Sequence, residues 1–371
     1  MNGISGSELY LMQLLPELKT RGYDVEALII LQAYTEKNKP FIDHLSLYGI
    51  VTHEIYGYNE LSPGLIRRIS RLIKNEKYDL VQSNLVHADL WIACTKLFFN
   101  RKLKVVSVKH GFDEPYSAKY GNNPKQLWKS LFFWLQKFSG WFSNYNTTVS
   151  KGLYDMYVNG KIVSSKKIRN VYYGLDLKEK ESLVVERNPA EKFAIILGRL
   201  VKYKGHEKLI KAWEKVALHD NSLKLYIIGG GNYEKELVNL ANNLQLTDSV
   251  KFLGYQPNPH QFIKDSQFML VTSKWEGFGL IMLESWAHQK PIIGFDVPAM
   301  NEVIEDGSNG LLVKAFDTDE LAQKIIYYFQ HPEITEHHGA AGYLKLNSYY
   351  TVPRMADEMC EVYEKVYKGV K

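Results

Sequence analysis

Short runs of β-branched and aliphatic residues alternate with longer amphipathic runs along almost the whole chain. This alternation predicts repeated strand–helix–strand units, in which neighbouring strands are parallel and helices cover the sheet. A chain of 371 residues is too long for one ordinary core and suits two domains of about 150–190 residues each. We therefore predict an α/β protein with two doubly wound parallel sheets.

The predicted strands fall into two groups, separated by a charged stretch without clear periodicity that contains Pro189. The first group is Val25–Leu31, Leu80–Gln82, Lys104–Val108, Thr147–Val149 and Ile168–Val171. The second group is Phe193–Leu197, Lys224–Ile228, Val250–Leu253, Phe268–Val271 and Pro291–Phe295. Helical periodicity fills the intervals. We expect an N-terminal domain over residues 1–176, a linker over 177–192 and a C-terminal domain over 193–352.

The turn Gly3–Gly6 raises a question about the first sheet. In a strand–helix–strand fold this turn should follow a strand, yet only two residues precede it. The first strand is therefore expected to be missing, either because the true start lies upstream or because the sequence is a fragment with an incomplete sheet. We favour an upstream start.

Charge is distributed unevenly along the chain. The net charge is +5, but residues 100–182 hold 15 Lys or Arg and 6 Asp or Glu, a local excess of +9 that leaves −4 for the remainder. A basic half opposite a mildly acidic half fits an anionic substrate or an anionic membrane surface. A solvated, lysine-rich surface is the alternative. No nucleic-acid partner is expected.

Cysteine content and apolar runs indicate the compartment. Cys94 and Cys360 lie far apart in helix-like stretches, so their spacing supports neither a disulfide framework nor a metal site. No apolar run reaches the roughly 18–20 residues that a membrane span requires. The N-terminus lacks the basic and apolar regions of a signal peptide. We expect a cytoplasmic protein, with the inner face of the membrane as a possible location.

The stretch Ser273–Glu284 follows a predicted strand and opens a predicted helix. Gly277 and Gly279 would let backbone amides approach a ligand, and a helix N-terminus favours a phosphate. Glu276 and Glu284 are eight positions apart, about 80° around a helix at roughly 100° per residue. A carboxylate there can accept two hydrogen bonds from ribose hydroxyls. The alternative is an exposed helix with solvated glutamates.

The stretch Gly198–His206 joins another predicted strand to another helix start. Arg199 offers a planar fork to phosphate oxygens, and Lys204 offers a compact positive charge. Together they could neutralise a departing diphosphate in the way that a metal ion would. An ordinary basic loop is the alternative.

Three glycines, Gly229, Gly230 and Gly231, come directly after the predicted strand Lys224–Ile228. They do not form a GxGxxG pattern, so dinucleotide binding is poorly supported. Three glycines after a strand suit a tight turn beneath a nucleotide, and a purely structural turn explains them equally well.

In the first half, His110 follows the predicted strand Lys104–Val108 directly. A histidine at the carboxyl end of a parallel strand lies at the edge where open α/β sheets bind ligands. It could hydrogen-bond a sugar hydroxyl or handle a proton, although a lone histidine is more often structural. His87 is predicted at a similar strand end, and Gly6 precedes a helix.

These motifs occur in an order that resembles one known family. The sequence Gly198-Arg199…Lys204-Gly205, the glycine triplet 229–231, Gly254, Glu276-x7-Glu284, Pro291 and Glu302…Asn309-Gly310-Leu311 is similar to the C-terminal domain of family-4 retaining glycosyltransferases of the GT-B type. The first half resembles the same family more loosely, through Gly3–Gly6, residues 21–25, His110, Ser150 and residues 173–176. Ser7 departs from it, since many relatives have a second glycine there.

The resemblance implies a fold and a set of donor contacts. The fold would be GT-B, with two Rossmann-like domains facing across a cleft and a helix over 353–371 crossing back to the N-terminal domain. Arg199 and Lys204 would hold the donor diphosphate, Glu284 the ribose hydroxyls, and Glu276 would lie by the transferred sugar.

Further contacts follow from the same resemblance. The donor-binding residues would include Gly6, Gly229, Gly230, the backbone amides of Phe278, Gly279 and Leu280, and Tyr255 near the base. His110 would contact the sugar. Uridine is the expected base, on the frequency of donors in the family.

The implied reaction is transfer with retention of configuration and without a metal or other cofactor. The leaving phosphate oxygen would take the acceptor's proton while positive charge develops on the sugar. The domains would close to exclude water. Asp317-Thr318-Asp319 is interpreted as a helix cap rather than as a metal-binding pair.

The acceptor is specified poorly. The stretch Leu127–Phe142 is rich in Trp and Phe with lysines at its edge, which suits either an interfacial helix that meets a lipid-linked acceptor or a helix buried against the first sheet. The family suggests a glycan or lipid-linked acceptor in bacterial surface polysaccharide synthesis. A nucleotide-sugar 2-epimerase of the same fold and a non-catalytic nucleotide-sugar-binding protein remain alternatives.

Overall fold

A computed structural model describes residues 5–31, 36–57, 62–112, 124–176 and 191–369. The chain divides into two compact units. Unit 1 combines the described residues up to Asp176 with those from Tyr350 onward, and unit 2 comprises the described residues from Glu191 to Tyr349. The predicted linker falls almost entirely on residues 177–190, which lie outside the described residues, as does Gly3.

The described part of unit 1 contains two parallel sheets. A two-stranded sheet pairs β1 (Glu26–Leu31) with β2 (Val51–Tyr56), and a four-stranded sheet has the order β3 (Val81–Asn84), β4 (Val105–Lys109), β5 (Tyr145–Thr148) and β6 (Ile168–Asn170). Its helices before the linker are α1 (Gly6–Thr20), α2 (Lys39–Leu47), α3 (Pro63–Glu76), α4 (Val86–Phe98), α5 (Leu131–Phe142) and α6 (Lys151–Asn159).

Helix α3 illustrates how the core of unit 1 forms. Its apolar residues recur every fourth position, so Leu65, Ile69 and Ile73 lie on one buried face. They join an apolar cluster with Ile55 of β2 and Val105 of β4. The intervening arginines remain on the opposite face, and this division anchors the helix against the strands.

Unit 2 contains one six-stranded parallel sheet. Its strands are β7 (Phe193–Leu197), β8 (Lys224–Ile228), β9 (Val250–Gly254), β10 (Met269–Val271), β11 (Ile292–Phe295) and β12 (Gly310–Val313), in the order β12-β11-β10-β7-β8-β9. The helices are α7 (His206–His219), α8 (Glu234–Asn243), α9 (His260–Asp265), α10 (Leu280–Ala287), α11 (Met300–Val303), α12 (Thr318–Gln330) and α13 (Pro332–Tyr349). The α/β prediction with parallel sheets is confirmed.

The last helix, α14 (Val352–Lys368), belongs to unit 1. It packs against α1, and the guanidinium of Arg354 donates to the carbonyl oxygen of Tyr172 at 2.9 Å. Lys104, which directly precedes β4, donates to the carbonyl oxygen of Tyr367 at 2.8 Å. Contacts at both ends therefore hold the helix to the four-stranded sheet.

Several predicted element bounds were wrong. Strand β2 was not predicted because only Ile55 of its six side chains is buried, so the apolar signal is weak. Strand β12 was also not predicted as a strand, and β5 begins two residues earlier than expected. His87 is not at a strand end: β3 ends at Asn84, and His87 is an exposed residue in the first turn of α4.

Candidate functional site

The sheet order of unit 2 singles out one edge. Strands β7, β8 and β9 follow one another outward, and the chain then returns so that β10 pairs with the other side of β7. All six strands are parallel, but the order in which the chain adds them reverses between β7 and β10. In open parallel sheets, ligands bind outside the carboxyl ends of the strands at such a point. The loops that follow β7 and β10 carry the two strongest sequence motifs.

These two loops are fastened together by backbone contacts. Gly205 has a φ of +75°, and a Cβ there would lie 1.8 Å from the carbonyl oxygen of Thr272. The Thr272 hydroxyl donates to the carbonyl oxygen of Lys204 at 3.1 Å, and the amide of Lys274 donates to that of Tyr203 at 2.7 Å. Only glycine fits this approach, which sets the distance between the loops.

An ion pair joins the loops at their side chains. Lys204 Nζ donates to Glu276 Oε1 at 2.6 Å, and the Ser273 hydroxyl donates to the same oxygen at 2.7 Å. Burial lowers the pKa of Lys204, but the charge and hydrogen bond of Glu276 together with the nearby Tyr203 more than offset this, so the pKa is raised overall. Lys204 is therefore a fixed positive charge that partly faces solvent.

Arg199 lies on the same loop and is exposed. Its guanidinium donates to the Tyr203 hydroxyl at 2.7 Å. The Tyr203 ring stacks on Trp275 of the second loop, with centroids 4.7 Å apart. Neither aromatic residue was selected from the sequence. They hold Arg199 near Lys204 and so concentrate positive charge at this edge of the sheet.

The glycine triplet packs against the loop after β7. A Cβ on Gly229 would lie 1.9 Å from the carbonyl oxygen of Gly198, and one on Gly231 would lie 2.3 Å from that of Leu200. Gly229 also has a φ of +137°. A Cβ on Gly230, in contrast, would have no atom within 4 Å. The outer two glycines serve loop packing, whereas Gly230 faces open space.

The amide of Gly229 also reaches the next strand, since it donates to the carbonyl oxygen of Gly254 at 2.8 Å. Gly254 ends β9 with a φ of +64°. Tyr255, which follows it, is exposed. The residue predicted near the base therefore stands at the same edge of the sheet as the glycine triplet.

Helix α10 begins directly after the second loop. Gly279 precedes it with a φ of +86°, while Phe278 and Leu280 on either side are buried. Glu284, one helical turn further on, is half-buried and makes no hydrogen bond within the described residues. Burial raises the pKa of its carboxyl to about 7. A carboxyl group without a partner beside a helix N-terminus is suited to accept hydroxyl donors.

His206 ends the stretch Gly198–His206, and the sequence pattern alone does not indicate a role for it. It is buried, and neither ring nitrogen has a hydrogen-bond partner among the residues that the structure describes. It lines a small pocket together with Lys204, Ser273 and Glu276. Burial, followed by the charge of Lys204, lowers its pKa to about 3, so the ring is neutral. Its position next to Lys204-Gly205 was the signal that could have identified it.

In unit 1, His110 follows β4 and is held between two polar groups. Its Nε2 lies 3.0 Å from the Oδ1 of Asn84, and its Nδ1 lies 2.5 Å from the Tyr173 hydroxyl. Because Oδ1 can only accept, Nε2 carries the proton and Nδ1 accepts from Tyr173. Burial and the adjacent Lys109 lower the pKa of His110 to about 3. The imidazole is thus neutral and fixed in one tautomer.

Tyr10 completes this cluster from α1. Its ring centroid lies 5.0 Å from that of His110 and 5.3 Å from that of Tyr173. Gly6 opens the same helix and is exposed. Asn84, Tyr10 and the role of Tyr173 were missed, since their proximity depends on how α1 and three strand ends pack.

The segment Asp317-Thr318-Asp319 does form a cap, as predicted. The Asp317 carboxylate accepts from the amides of Asp319 and Glu320, each at 3.0 Å, at the start of α12. Within the described residues, no group of three or more His, Cys, Asp or Glu side chains is arranged to hold a metal ion.

Comparison with known families accounts for nearly the whole chain. The family described as Glycosyltransferase Family 4 matches residues 4–179, and that described as Glycosyl transferases group 1 matches residues 178–345. A solved structure of Anabaena HepE in complex with UDP-glucose aligns with a TM-score of 0.81 at 19% identity, over 98% of this chain and 97% of that one.

Curated relatives point the same way. The N-acetyl-alpha-D-glucosaminyl L-malate synthase of Bacillus anthracis is 25% identical over 100% of this chain and 94% of its own length. A Campylobacter jejuni N-acetylgalactosamine-N,N'-diacetylbacillosaminyl-diphospho-undecaprenol 4-alpha-N-acetylgalactosaminyltransferase is 31% identical over 47% of each chain.

The two α/β units and these matches define a glycosyltransferase of the GT-B type. Within that class, the chain belongs to the family-4 glycosyltransferases.

Proposed function

We propose that the protein transfers a hexose or N-acetylhexosamine from a UDP-sugar to a glycan or lipid-linked acceptor, with retention of configuration and without a metal. The observation that carries this proposal is the Lys204–Glu276 ion pair, which lies where the strand order of unit 2 reverses. Arg199 beside it and the carboxyl of Glu284, which has no hydrogen-bond partner among the described residues, supply the remaining chemistry of a nucleotide-diphosphate site.

The proposed roles of six donor-binding residues are supported by their surroundings. Arg199 and Lys204 would bind the diphosphate, because together they supply one forked and one compact cation. Glu284 would accept the ribose hydroxyls. The amides of Phe278, Gly279 and Leu280 precede or begin α10, where helix geometry leaves N–H groups available for an anion.

Positive charge near the diphosphate would also drive the chemistry. As the bond from the anomeric carbon to the phosphate oxygen breaks, negative charge grows on that oxygen, and Arg199 and Lys204 would stabilise it. The same oxygen would then take the proton of the attacking acceptor hydroxyl on the face that it leaves, which retains configuration. Glu276 is already engaged by Lys204 and Ser273, so we assign it to orientation rather than to nucleophilic attack.

We also propose a sugar contact for His110, as a neutral hydrogen-bonding group. A pKa of about 3 makes the ring a poor proton acceptor near neutral pH. Both ring nitrogens are engaged by Asn84 and Tyr173, so a sugar hydroxyl would replace one of these two partners, and the ring would position that hydroxyl rather than transfer its proton.

The donor and the biological setting are inferred from relatives. HepE was solved in complex with UDP and UDP-glucose, and the C. jejuni relative is named for transfer of N-acetylgalactosamine to a diphospho-undecaprenol acceptor. A Rhizobium meliloti relative is named for lipopolysaccharide core biosynthesis. We extend this setting, surface polysaccharide synthesis in the cytoplasm, to the present chain as a proposal.

A binding titration tests the donor site directly. UDP, GDP, ADP and NAD would be titrated calorimetrically into the full chain and into the double variant Arg199→Glu, Lys204→Glu. We expect one nucleoside diphosphate, UDP, to bind at micromolar strength and the double variant to lose about a hundredfold or more in affinity, as two charge-assisted contacts are replaced by repulsion.

Lys202→Glu provides the matched control. Lys202 lies on the same turn and is exposed, with its Nζ over the Tyr233 ring, so this variant should bind UDP within about threefold of the parent. Binding of none of the four ligands by the folded chain would refute the proposal. Binding of UDP without transfer or hydrolysis of any UDP-sugar would instead indicate a non-catalytic nucleotide-sugar-binding protein.

A further inference from the structure

Helix α5 exposes a row of large apolar side chains. Leu131, Trp134 and Trp141 are 74%, 54% and 68% exposed, and their spacing of three and seven positions puts them on one face. The opposite face, with Phe133 and Gln136, is buried. Neither of the two interpretations of this stretch is complete, because the helix packs into unit 1 on one side only.

The exposed row extends beyond α5 at both ends. Before the helix, Trp128 is exposed, and its carbonyl oxygen accepts from the Trp134 indole N–H at 3.0 Å. Beside the helix, α4 packs on α5 and ends in the exposed side chains of Phe98 and Phe99. The aromatic surface, as we name it, consists of residues on these two neighbouring helices and their ends: Phe98, Phe99, Trp128, Leu131, Trp134 and Trp141.

Phe98 and Phe99 lie at the same end of the helix pair as Trp141. Lys96, near the end of α4, donates to the Oδ1 of Asn144 at 2.6 Å, and Asn144 follows α5 by two residues. The last turns of the two helices are therefore adjacent.

Two chain segments that carry the aromatic surface hold charge of one sign. Residues 98–112 and 124–142 contain seven Lys or Arg and no Asp or Glu. One of the seven, Lys109, is buried, whereas Arg101, Lys102 and Lys129 are exposed. An apolar surface with a basic border is typical of proteins that lie on anionic lipid.

We propose that the aromatic surface docks unit 1 on an anionic lipid bilayer. Three of its six members are tryptophans, the side chain that favours the boundary between lipid headgroups and acyl chains. None of the described helices is long and apolar enough to cross a membrane, so the surface would lie in the headgroup region. A second copy of the chain fits less well, because its own basic border would face this one and repel it.

This inference goes beyond the proposed function and does not depend on it. Lipid binding uses side chains of α4, α5 and the turn before α5, whereas the proposed diphosphate contacts belong to unit 2. A chain that binds vesicles but transfers no sugar would leave the inference intact, and a chain that transfers sugar but ignores vesicles would overturn it alone.

Vesicle flotation tests the proposal with the full chain. The parent would be mixed with vesicles of phosphatidylcholine alone or of phosphatidylcholine and phosphatidylglycerol in equal parts. We expect binding to the anionic vesicles that weakens as salt is raised. The double variant Trp134→Ser, Trp141→Ser should bind about tenfold more weakly or worse, because two interfacial anchors are lost.

The matched control replaces two exposed apolar residues of unit 2, Leu218→Ser and Leu344→Ser, which are 83% and 68% exposed. It should bind anionic vesicles like the parent. A charge variant, Arg101→Glu with Lys102→Glu, should lose binding to anionic vesicles. Its temperature of thermal unfolding should equal that of the parent. UDP titration of every variant would verify that unit 2 is unperturbed.

Three results would overturn the proposal. The first is equal vesicle binding by the tryptophan variant and the leucine control. The second is equal binding of the parent to neutral and anionic vesicles, and the third is no binding to either. Concentration-dependent dimerisation that disappears in the tryptophan variant, without vesicle binding, would assign the aromatic surface to a second copy of the chain.

Discussion

Lys109 in unit 1 and Lys204 in unit 2 each donate a hydrogen bond of 2.6 Å to a carboxylate oxygen. The Lys109–Asp89 pair has side chains that are each 1% exposed, whereas those of Lys204 and Glu276 are 18% and 10% exposed. Equal distances therefore accompany unequal access to solvent, and this difference separates a structural pair from one that a ligand can reach.

The more deeply buried pair also has more hydrogen-bond partners. Lys109 also donates to Gln136 at 2.6 Å, and Asp89 accepts from Ser83 and Ser107, each at 2.5 Å. Within the described part of the chain, the Lys204–Glu276 pair has one such hydrogen-bond partner, Ser273. The donors and acceptors of the first pair are therefore hydrogen-bonded within the protein. The second retains capacity for an anion, which is why position and burial, not ion-pair length, indicate function.

The largest effect is expected from a variant that breaks the buried Lys109–Asp89 pair. Lys109→Met should lower the free energy of unfolding of unit 1 by about 3–5 kcal/mol, because it leaves the Asp89 carboxylate buried without compensation. Hydrogen exchange of the β4 and β5 amides would measure it. Addition of Asp89→Leu should recover part of the loss, and the exposed Lys166→Met control should change stability by about 0.5 kcal/mol or less. Equal effects of Lys109→Met and the control would show that burial does not distinguish the pairs.

The accessible pair should respond in activity instead. Lys204→Met should lower kcat for sugar transfer by about 10²–10³, the usual loss when one group that stabilises a developing oxyanion is removed. Its effect on stability should be smaller, about 1–2 kcal/mol, because Glu276 keeps the Ser273 hydrogen bond. Lys202→Met, on the same turn, should leave kcat within about threefold of the parent. A Lys204 variant with unchanged kcat would place the charge outside the reaction.

The smallest expected effect is a pH dependence of UDP binding. Glu284 has a pKa raised to about 7 by burial alone, so its carboxyl gains a proton as pH falls below that value. Ribose hydroxyls donate to the ionised form, and UDP affinity should therefore fall with decreasing pH, by up to about tenfold per unit. Calorimetric titration between about pH 5.5 and 8 would measure it.

Glu284→Gln is the control for this measurement. The terminal phosphate of UDP itself titrates near about pH 6, and this contributes equally to both proteins. The ratio of the parent's affinity to the variant's should rise with pH and level off above about 7.5. A ratio that does not change with pH would mean that Glu284 does not meet the ribose.

The architecture was readable from the sequence where the pattern is strong. The runs Phe193–Leu197 and Lys224–Ile228 are apolar and bounded by glycine or charge, and both are strands at those positions. Strand β2 escaped prediction because a strand at the margin of a small sheet buries one side chain of six. Local patterns report burial, so elements that bury little leave little signal.

The contacts within the site were less readable. The sequence put Lys204 and Glu276 after separate strands, but only the sheet order makes those strands neighbours. The stacking of Tyr203 on Trp275 and the burial of His206 depend on the same order. Tertiary pairing of residues distant in the chain has no local pattern. The motifs could be identified, whereas the side chains that hold them in place could not.

The position of β10 beside β7 has a consequence for how the protein is made. Lys204 and Glu276 are separated by 72 positions, and β8 and β9 lie between them in the chain, although β10 pairs directly with β7. Contacts of such long sequence separation form late and slow the search for the native state. The two charged loops therefore cannot meet before the chain has been synthesised as far as Glu276, and the site that they form depends on a slow long-range pairing rather than on a local one.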